Sequence, residues 1–271
     1  MAQQIKFYLK NIIDIQNEAA GITVTDLVAD SSGQDIVDFV RNRNNVSAWL
    51  TTGSTDAANT QLDVEFGVGR DLNRIILVKH NWKAFTIQYW DGATYQNFST
   101  PINESANDDE VTEFAFNTVE TDRIRIIITG AQVVDADKEL YQLICTESMG
   151  QLQGWPVIKA PTHDTNKKTT KMLSGKVHVI ESVGGFSLSL TVTQWRSIAD
   201  LTLVEDLYFS EEAFIMWPCG GDEDQFFFAA RGYRLEDFFV CRCTDNYVPE
   251  LVKGIYQNGQ KMDIQLAEAI V

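Results

Sequence analysis

Apolar and polar residues alternate with a period of two through most of this chain, and that period predicts strands rather than helices. In Leu62-Asp63-Val64-Glu65-Phe66 apolar side chains alternate with acidic ones, and Gly67 and Gly69 are expected to close the strand. Arg74-Ile75-Ile76-Leu77-Val78 is instead a nearly unbroken apolar run, the pattern of a strand covered on both faces. Phe85 to Trp90 reads as a strand that stops at Asp91-Gly92, a hairpin-turn dipeptide. Glu113–Phe116, Arg123–Ile128 and Glu139–Thr146 supply three more strands, preceded by an apolar stretch over Ile5–Ile15 and by Thr23–Ser32, which ends in turn formers. Short strands at this spacing, with no helical period between them, predict a sandwich or jelly roll.

Gly154-Trp155-Pro156 separates this region from a second β-rich stretch, so the chain divides into an expected sandwich over residues 1–153 and a second module over 154–271. Pro161–Lys171 is polar and reads as an exposed arm or long loop. Gly175–Glu181 and Phe186–Val192 both alternate, and Gly184-Gly185 between them predicts a hairpin turn. From Gln194 to Phe209 the spacing changes: Trp195, Ile198, Leu201 or Thr202, Val204 and Tyr208 recur every three to four residues, which predicts one amphipathic helix. Strands are expected again at Ala213–Trp217, Phe226–Tyr233, Asp237–Cys243 and Gln260–Leu266, with a turn at Pro218–Gly221.

Composition narrows the function. The 271 residues are 44% hydrophobic and 22% charged, ordinary for globular domains and enough for two cores. The formal charge is −16, shared by both halves: 11 basic against 22 acidic residues through Gly150, and 11 against 16 after it. A basic nucleic-acid surface is not expected. No stretch matches a signal peptide or reaches the ~18 apolar residues of a membrane span, so cytoplasmic synthesis without membrane insertion is expected. No cysteine precedes Cys145, and Cys241 and Cys243 would share one face of a strand, which favours free buried thiols. Cys219, Cys241 and Cys243 lack the paired spacing of a zinc site.

The succession Ser47-Ala48-Trp49, Leu62 to Gly67, Asn73-Arg74-Ile75, Phe85 to Gly92 and Arg123-Ile124-Arg125-Ile126 resembles the discoidin branch of galactose-binding-like domains. The resemblance implies a jelly-roll fold and a ligand that is a glycan, a lipid or a protein; the disulfide common in the extracellular branch is impossible here. The second region, through Ser174-Gly175-Lys176-Val177, the Trp195 helix, Phe214–Pro218 and the strand ending Leu266-Ala267-Glu268, resembles the tail-tube-like module of bacteriophage distal tail and baseplate proteins. That resemblance implies a homo-oligomeric ring, a hexamer or trimer, in the virion tail, with other tail or baseplate proteins as partners.

Chemistry-bearing residues are sparse. His80, His163 and His178 fall in separate elements, and no nucleophile elbow, phosphate loop or dinucleotide fingerprint occurs. Glu181, Asp206, Glu236 and Asp237 offer carboxylates for glycoside hydrolysis, but an acidic chain supplies such pairs by chance. Asp108-Asp109-Glu110 and Asp135-Ala136-Asp137 sit at expected loop tips without the ordered ligand series of a calcium loop, and Asp222-Glu223-Asp224 reads as an exposed acidic tip. The candidate glycan site is His80-Asn81-Trp82-Lys83, where a sugar would stack on Trp82 and accept hydrogen bonds from its neighbours; the competing reading makes Trp82 a cap on the sandwich, and Trp49 and Trp90 are expected in its core. The expectation is therefore a mainly β, non-enzymatic structural protein of a phage tail or baseplate, needing no cofactor or metal, with a carbohydrate-binding module as the alternative.

Overall fold

The computed structural model describes residues 5–15, 21–26, 37–43, 46–51, 60–153, 157–158, 162–171, 177–192, 198–220, 234–244, 250–253 and 258–268. Its strands are, in chain order, β1 (Lys6–Tyr8), β2 (Thr23–Asp26), β3 (Trp49–Leu50), β4 (Thr60–His80), β5 (Trp82–Trp90), β6 (Tyr95–Glu104), β7 (Val111–Ala131), β8 (Glu139–Thr146) and β9 (Ser148–Gln151). There follow β10 (Val157–Ile158), β11 (Thr162–Lys171), β12 (Val177–Val192), the helix α1 (Ile198–Phe209), β13 (Phe214–Trp217), β14 (Phe239–Cys243), β15 (Glu250–Lys253) and β16 (Asn258–Glu268). The chain is mainly β, a jelly-roll-like sandwich joined to a second sheet that carries one helix.

The seven-stranded sheet runs β3-β8-β4-β7-β5-β6, with β2 added on β4. Its frame is the pair β4 and β7, antiparallel from Thr60↔Ile128 to Val78↔Val111. Gly67 and Gly69 do not end a strand. Gly67 takes φ +76°, and a Cβ there would stand 3.1 Å from the backbone of Gly21, so only glycine fits where β4 bends. The register with β7 shifts beside it, between Glu65 and Arg70. The bend folds the sheet over itself. Leu62, Val64 and Phe66 from the first half of β4 and Ile75 and Leu77 from the second face one core, together with Ile124, Ile126 and Ile128 of β7 and Leu143 and Cys145 of β8. The predicted strands at 113–116 and 123–128 are likewise one strand, β7, bent in step with β4.

The run Ile75–Val78 is covered on both faces, as its composition demands. Ile75 and Leu77 enter the sandwich core, while Ile76 and Val78 point the other way and pack with Ile144, Tyr8, Ile215 and Trp217. This second layer joins the sandwich to the nine-stranded sheet, ordered β10-β12-β16-β14-β13-β1-β9 with β11 and β15 as side branches. Sheet membership is not divided at 153/154: β1 lies between β13 and β9, with Lys6 opposite Trp217 on one side and Gln151 on the other. Leu203, Val204 and Leu207 of α1 cover this sheet with Phe7, Phe214, Met216, Cys241 and Leu266.

Two expectations for the second module are corrected. Residues 162–171 are not a loop but strand β11, paired with β12 from Thr162↔Ser187 to Lys171↔Val177. Gly184-Gly185 does not turn the chain; β12 continues through it, and the register slips opposite it, between His163 and Thr165. A glycine pair tolerates such a bulge as readily as a turn, and here a better partner strand lies upstream. Phe226–Tyr233, Asp222–Asp224 and Gly154–Pro156 lie outside the described residues.

Candidate functional site

His80-Asn81-Trp82-Lys83 forms the tight connection between β4 and β5, and its burial decides what it can do. Trp82 is 0% exposed and His80 1%. The Trp82 ring meets Trp49, His80 and Phe85 edge-on at centroid distances of 6.4, 5.3 and 5.7 Å, the arrangement aromatic quadrupoles favour in a core. No sugar can stack on it. His80 is committed too: one ring nitrogen lies 3.0 Å from Thr112 Oγ1 and the other accepts the Trp82 N–H at 3.3 Å. Burial pushes the imidazole pKa down to about 4, so the ring is neutral at pH 7. Asn81 splices loops, donating to the Asp137 carbonyl at 2.8 Å and accepting from the Glu139 N–H at 3.0 Å. Lys83 alone is exposed. The glycan site expected here is thus a structural corner, because the aromatic residue that sequence places in a loop is aimed into the core.

The other candidates scatter. Asn107 Nδ2 donates to the carbonyls of Trp82 and Asp109, and Gln132 Nε2 also reaches the Asp109 carbonyl, so the 107–110 turn is held by its backbone oxygens. Among the described residues no three His, Cys, Asp or Glu side chains converge to hold a metal ion. Asp237 accepts the Arg234 N–H at 2.7 Å, and desolvation together with the neighbouring Glu236 raises its pKa. Asp206 stands exposed on α1, and the side chains of Glu181, His163 and His178 are not described. The cysteines are free thiols: Cys145, Cys219 and Cys241 are buried and Cys243 is partly so.

A more coherent surface is the outward face of the first leaf, where β4, β7, β5 and β6 lie side by side. Alternation along each strand sends Leu62, Val64, Ile124, Ile126, Phe85 and Ile87 inward and leaves Asp63, Glu65, Arg123, Arg125, Thr86, Gln88 and Trp90 outward. Cross-strand register then sets like chemistry in columns. Asp63 faces Arg125, with Arg125 Nε 3.3 Å from Asp63 Oδ1, and Glu65 faces Arg123 at 3.6 Å. On the next pair of strands Gln88 donates to Asn97 Oδ1 at 3.2 Å and Thr86 to Asn103 Oδ1 at 3.1 Å. Trp49 does enter the core, but Trp90, expected there too, is only partly buried and pairs with Tyr95 edge-on at 5.0 Å. The guanidinium carbon of Arg125 lies 3.7 Å from the Tyr95 centroid, and that of Arg123 lies 5.2 Å from the Trp90 centroid.

Strands stand about 4.8 Å apart, so this platform spans roughly 15 Å from the carboxylates of β4 to the tyrosine of β6. Exposed ion pairs of this sort stabilise a fold by about 0–1 kcal/mol each. What the face does supply is flat aromatic and guanidinium surface next to carboxylates and amides. Those are the partners a sugar needs, ring faces for its C–H groups and planar donors and acceptors for its hydroxyls. Pattern reading found the strands that carry these residues but not the face. β6 was the missing piece: Tyr95-Gln96-Asn97-Phe98-Ser99-Thr100-Pro101 has weak alternation and a proline, tolerated because β6 is an edge strand.

No protein-family model and no curated protein matches the sequence. Solved structures resemble about half of it. A chitosan-binding module from a chitosanase/glucanase of Paenibacillus sp. IK-5 is 16% identical, over 50% of this chain and 97% of its own, with a TM-score of 0.40. A Clostridium perfringens module solved with GalNAc-β-1,3-galactose is 13% identical over 46% of this chain and 94% of its own, with a TM-score of 0.38. A Ruminococcus gnavus fucosidase solved with fucose is 11% identical over 51% of this chain and 27% of its own, with a TM-score of 0.41. The ligands named are those proteins' own.

Proposed function

We propose that the chain is a non-enzymatic binding protein whose sandwich offers the β4-β7-β5-β6 face to a carbohydrate. The observation that carries this reading is the column arrangement on that face, with Trp90 and Tyr95 at one side, Arg123 and Arg125 between, and Asp63 and Glu65 at the other. A flat platform suits an extended chain rather than a single buried sugar ring. Glycan-array binding followed by calorimetric titration tests it. Trp90→Ala and Arg125→Ala, each checked for an unchanged melting curve, are expected to lose binding, whereas Lys83→Ala keeps it. Full affinity in a folded Trp90→Ala variant, or silence of the parent protein across the array, refutes the reading.

We further propose a second, compatible role, self-assembly into a ring as a structural component of a phage tail or baseplate; what supports the assembly is a strand ribbon. β12 pairs with β16 only over Ser187–Val192, and in the described structure Val177–Phe186 pairs with β11 alone. The two strands therefore run past the sheet as a ribbon roughly 30 Å long. A two-stranded ribbon is marginal by itself and leaves strand edges for another chain to pair with. A neighbouring copy related by rotation meets that need, and repetition closes a ring, a hexamer or a trimer. Light scattering over a concentration series tests it: a discrete oligomer that dissociates when residues 163–186 are replaced by a short turn supports assembly, and a strict monomer at every concentration counts against it.

A further inference from the structure

Where β1 crosses the sandwich, a cavity of about 330 Å³ opens between the two sheets, lined by Lys6, Arg74, Glu113, Ser148, Gly150 and Gln151. Glu113, on β7, is the one carboxylate among the described residues of its wall and is shared three ways. Lys6 Nζ forms an ion pair with its Oε2, the Tyr8 hydroxyl donates to Oε1 at 2.9 Å, and Arg74 Nε lies 3.4 Å from the same oxygen. Burial, reinforced by Glu113, raises the Tyr8 pKa far above the ordinary phenol value, so Tyr8 serves only as a neutral donor. Two fixed cations therefore face one anion, and a unit of positive charge is left over in a chain whose formal charge is −16.

The donors are not used up either. Arg74 Nη1 donates to the Asn73 carbonyl at 2.7 Å, while Nη2 has no partner among the described residues. Lys6 makes its one ion pair and otherwise lies 5.0 Å over the Trp217 ring, leaving N–H groups for a ligand. Lys6 and Arg74 each keep 24% of their side-chain surface exposed, so the site is reachable yet shielded enough for charge to count. Gly150 forms part of the wall with φ +138°.

We propose that this inter-sheet cavity is a binding site for a small oxyanion, of the phosphate or sulfate type, held by Lys6 and the free edge of the Arg74 guanidinium. Guanidinium and ammonium groups spaced around one cavity match the several oxygens of such an ion better than they match a monatomic halide. A filled site would also link β1 of one sheet to β4 of the other, so occupancy stabilises the fold by mass action.

Titrating sodium sulfate, with sodium chloride at equal ionic strength as control, while following the melting temperature and the heat of binding tests the proposal on the intact protein. Sulfate is expected to give a saturable stabilisation that chloride does not. Arg74→Gln should weaken sulfate at least tenfold, and Glu113→Gln should tighten it severalfold by removing the competing negative charge, a direction that a purely structural role for Glu113 does not produce. If Arg74→Gln fails to fold, Lys6→Gln provides the same arm. Trp90→Ala should leave sulfate affinity unchanged, which separates this site from the carbohydrate face. Equal responses to sulfate and chloride, or weaker sulfate binding by a folded Glu113→Gln, overturn it.

Discussion

Lowering the pH should destabilise the sandwich through His80, and the size of the effect follows from its burial. The ring is 1% exposed, and burial moves its pKa from 6.5 to about 4. In the unfolded chain the imidazole takes up a proton below about pH 6.5, whereas in the fold it stays neutral until about pH 4. The sign is fixed by that order: above pH 6.5 neither state is protonated and His80 has no effect, and as pH falls the unfolded state gains a proton the native state refuses. At about 1.4 kcal/mol per pKa unit, the shift amounts to about 3 kcal/mol in full and about 2 kcal/mol by pH 5.2. Urea unfolding of the parent and of His80→Gln at several values from pH 7.5 to 5.2 measures it as a difference, which cancels the titration of carboxylates common to both. The parent is expected to be the more stable at pH 7.5 and to lose that advantage as pH falls. Parallel stability curves across the range would show that the imidazole is not kept neutral by the fold, and the argument from burial would be wrong.

Other positions give sharper local tests. Trp82→Ala removes a fully buried indole from the centre of an aromatic cluster and should cost about 3–5 kcal/mol, measured by denaturant unfolding, while leaving any carbohydrate binding of the surviving folded fraction intact. Gly67→Ala places a Cβ 3.1 Å from the Gly21 backbone at φ +76°, so a loss of roughly 1–2 kcal/mol or more is expected; an unchanged melting temperature would mean the bend is not pinned there. Burial and the nearby Asp237 and Glu236 push the Cys219 thiol up to about 12, and burial alone raises that of Cys145. In the native protein at pH 7.5 only Cys243 is expected to react with a thiol reagent, with all four cysteines reacting in denaturant.

Residue pattern revealed the layers better than the connections. Ile75–Val78 announced a strand buried on both faces because no polar position interrupts it, and its side chains do divide between two cores. Glu139–Thr146 was legible to the residue, and Asp91-Gly92 did mark the hairpin, with Asp91 Oδ1 accepting the N–H groups of Ala93 and Thr94. Glycine was the source of error. Gly67 and Gly184-Gly185 look identical in sequence to strand ends, yet the strands pass through both, since a glycine permits a bend, a bulge or a turn and neighbouring strands choose among them. The candidate site suffered from a related ambiguity. Trp82 and Trp90 both end strand β5, and only the pairing of that strand with β6 and β7 says which indole is buried and which looks outward. A face built from four strands is a property of register, and register is not written in any one of them.

The placement of β1 has a consequence for how the chain is made. Lys6–Tyr8 is made about 210 residues ahead of its partner Ile215–Trp217, so at 5–20 residues per second the strand waits roughly 10–40 s for β13. During that interval β1 can pair with β9 but not with β13, so Phe7 and Tyr8, both destined for full burial, lack one side of their sheet, and the outer surface of β4 and β8, with Ile76, Val78 and Ile144, lacks the cover of Ile215 and Trp217. A sandwich that has already closed thus carries a sticky flank until β13 has been made. Slowing initiation or lowering the growth temperature, so that fewer half-made chains coexist, is the condition under which this protein should be recovered soluble.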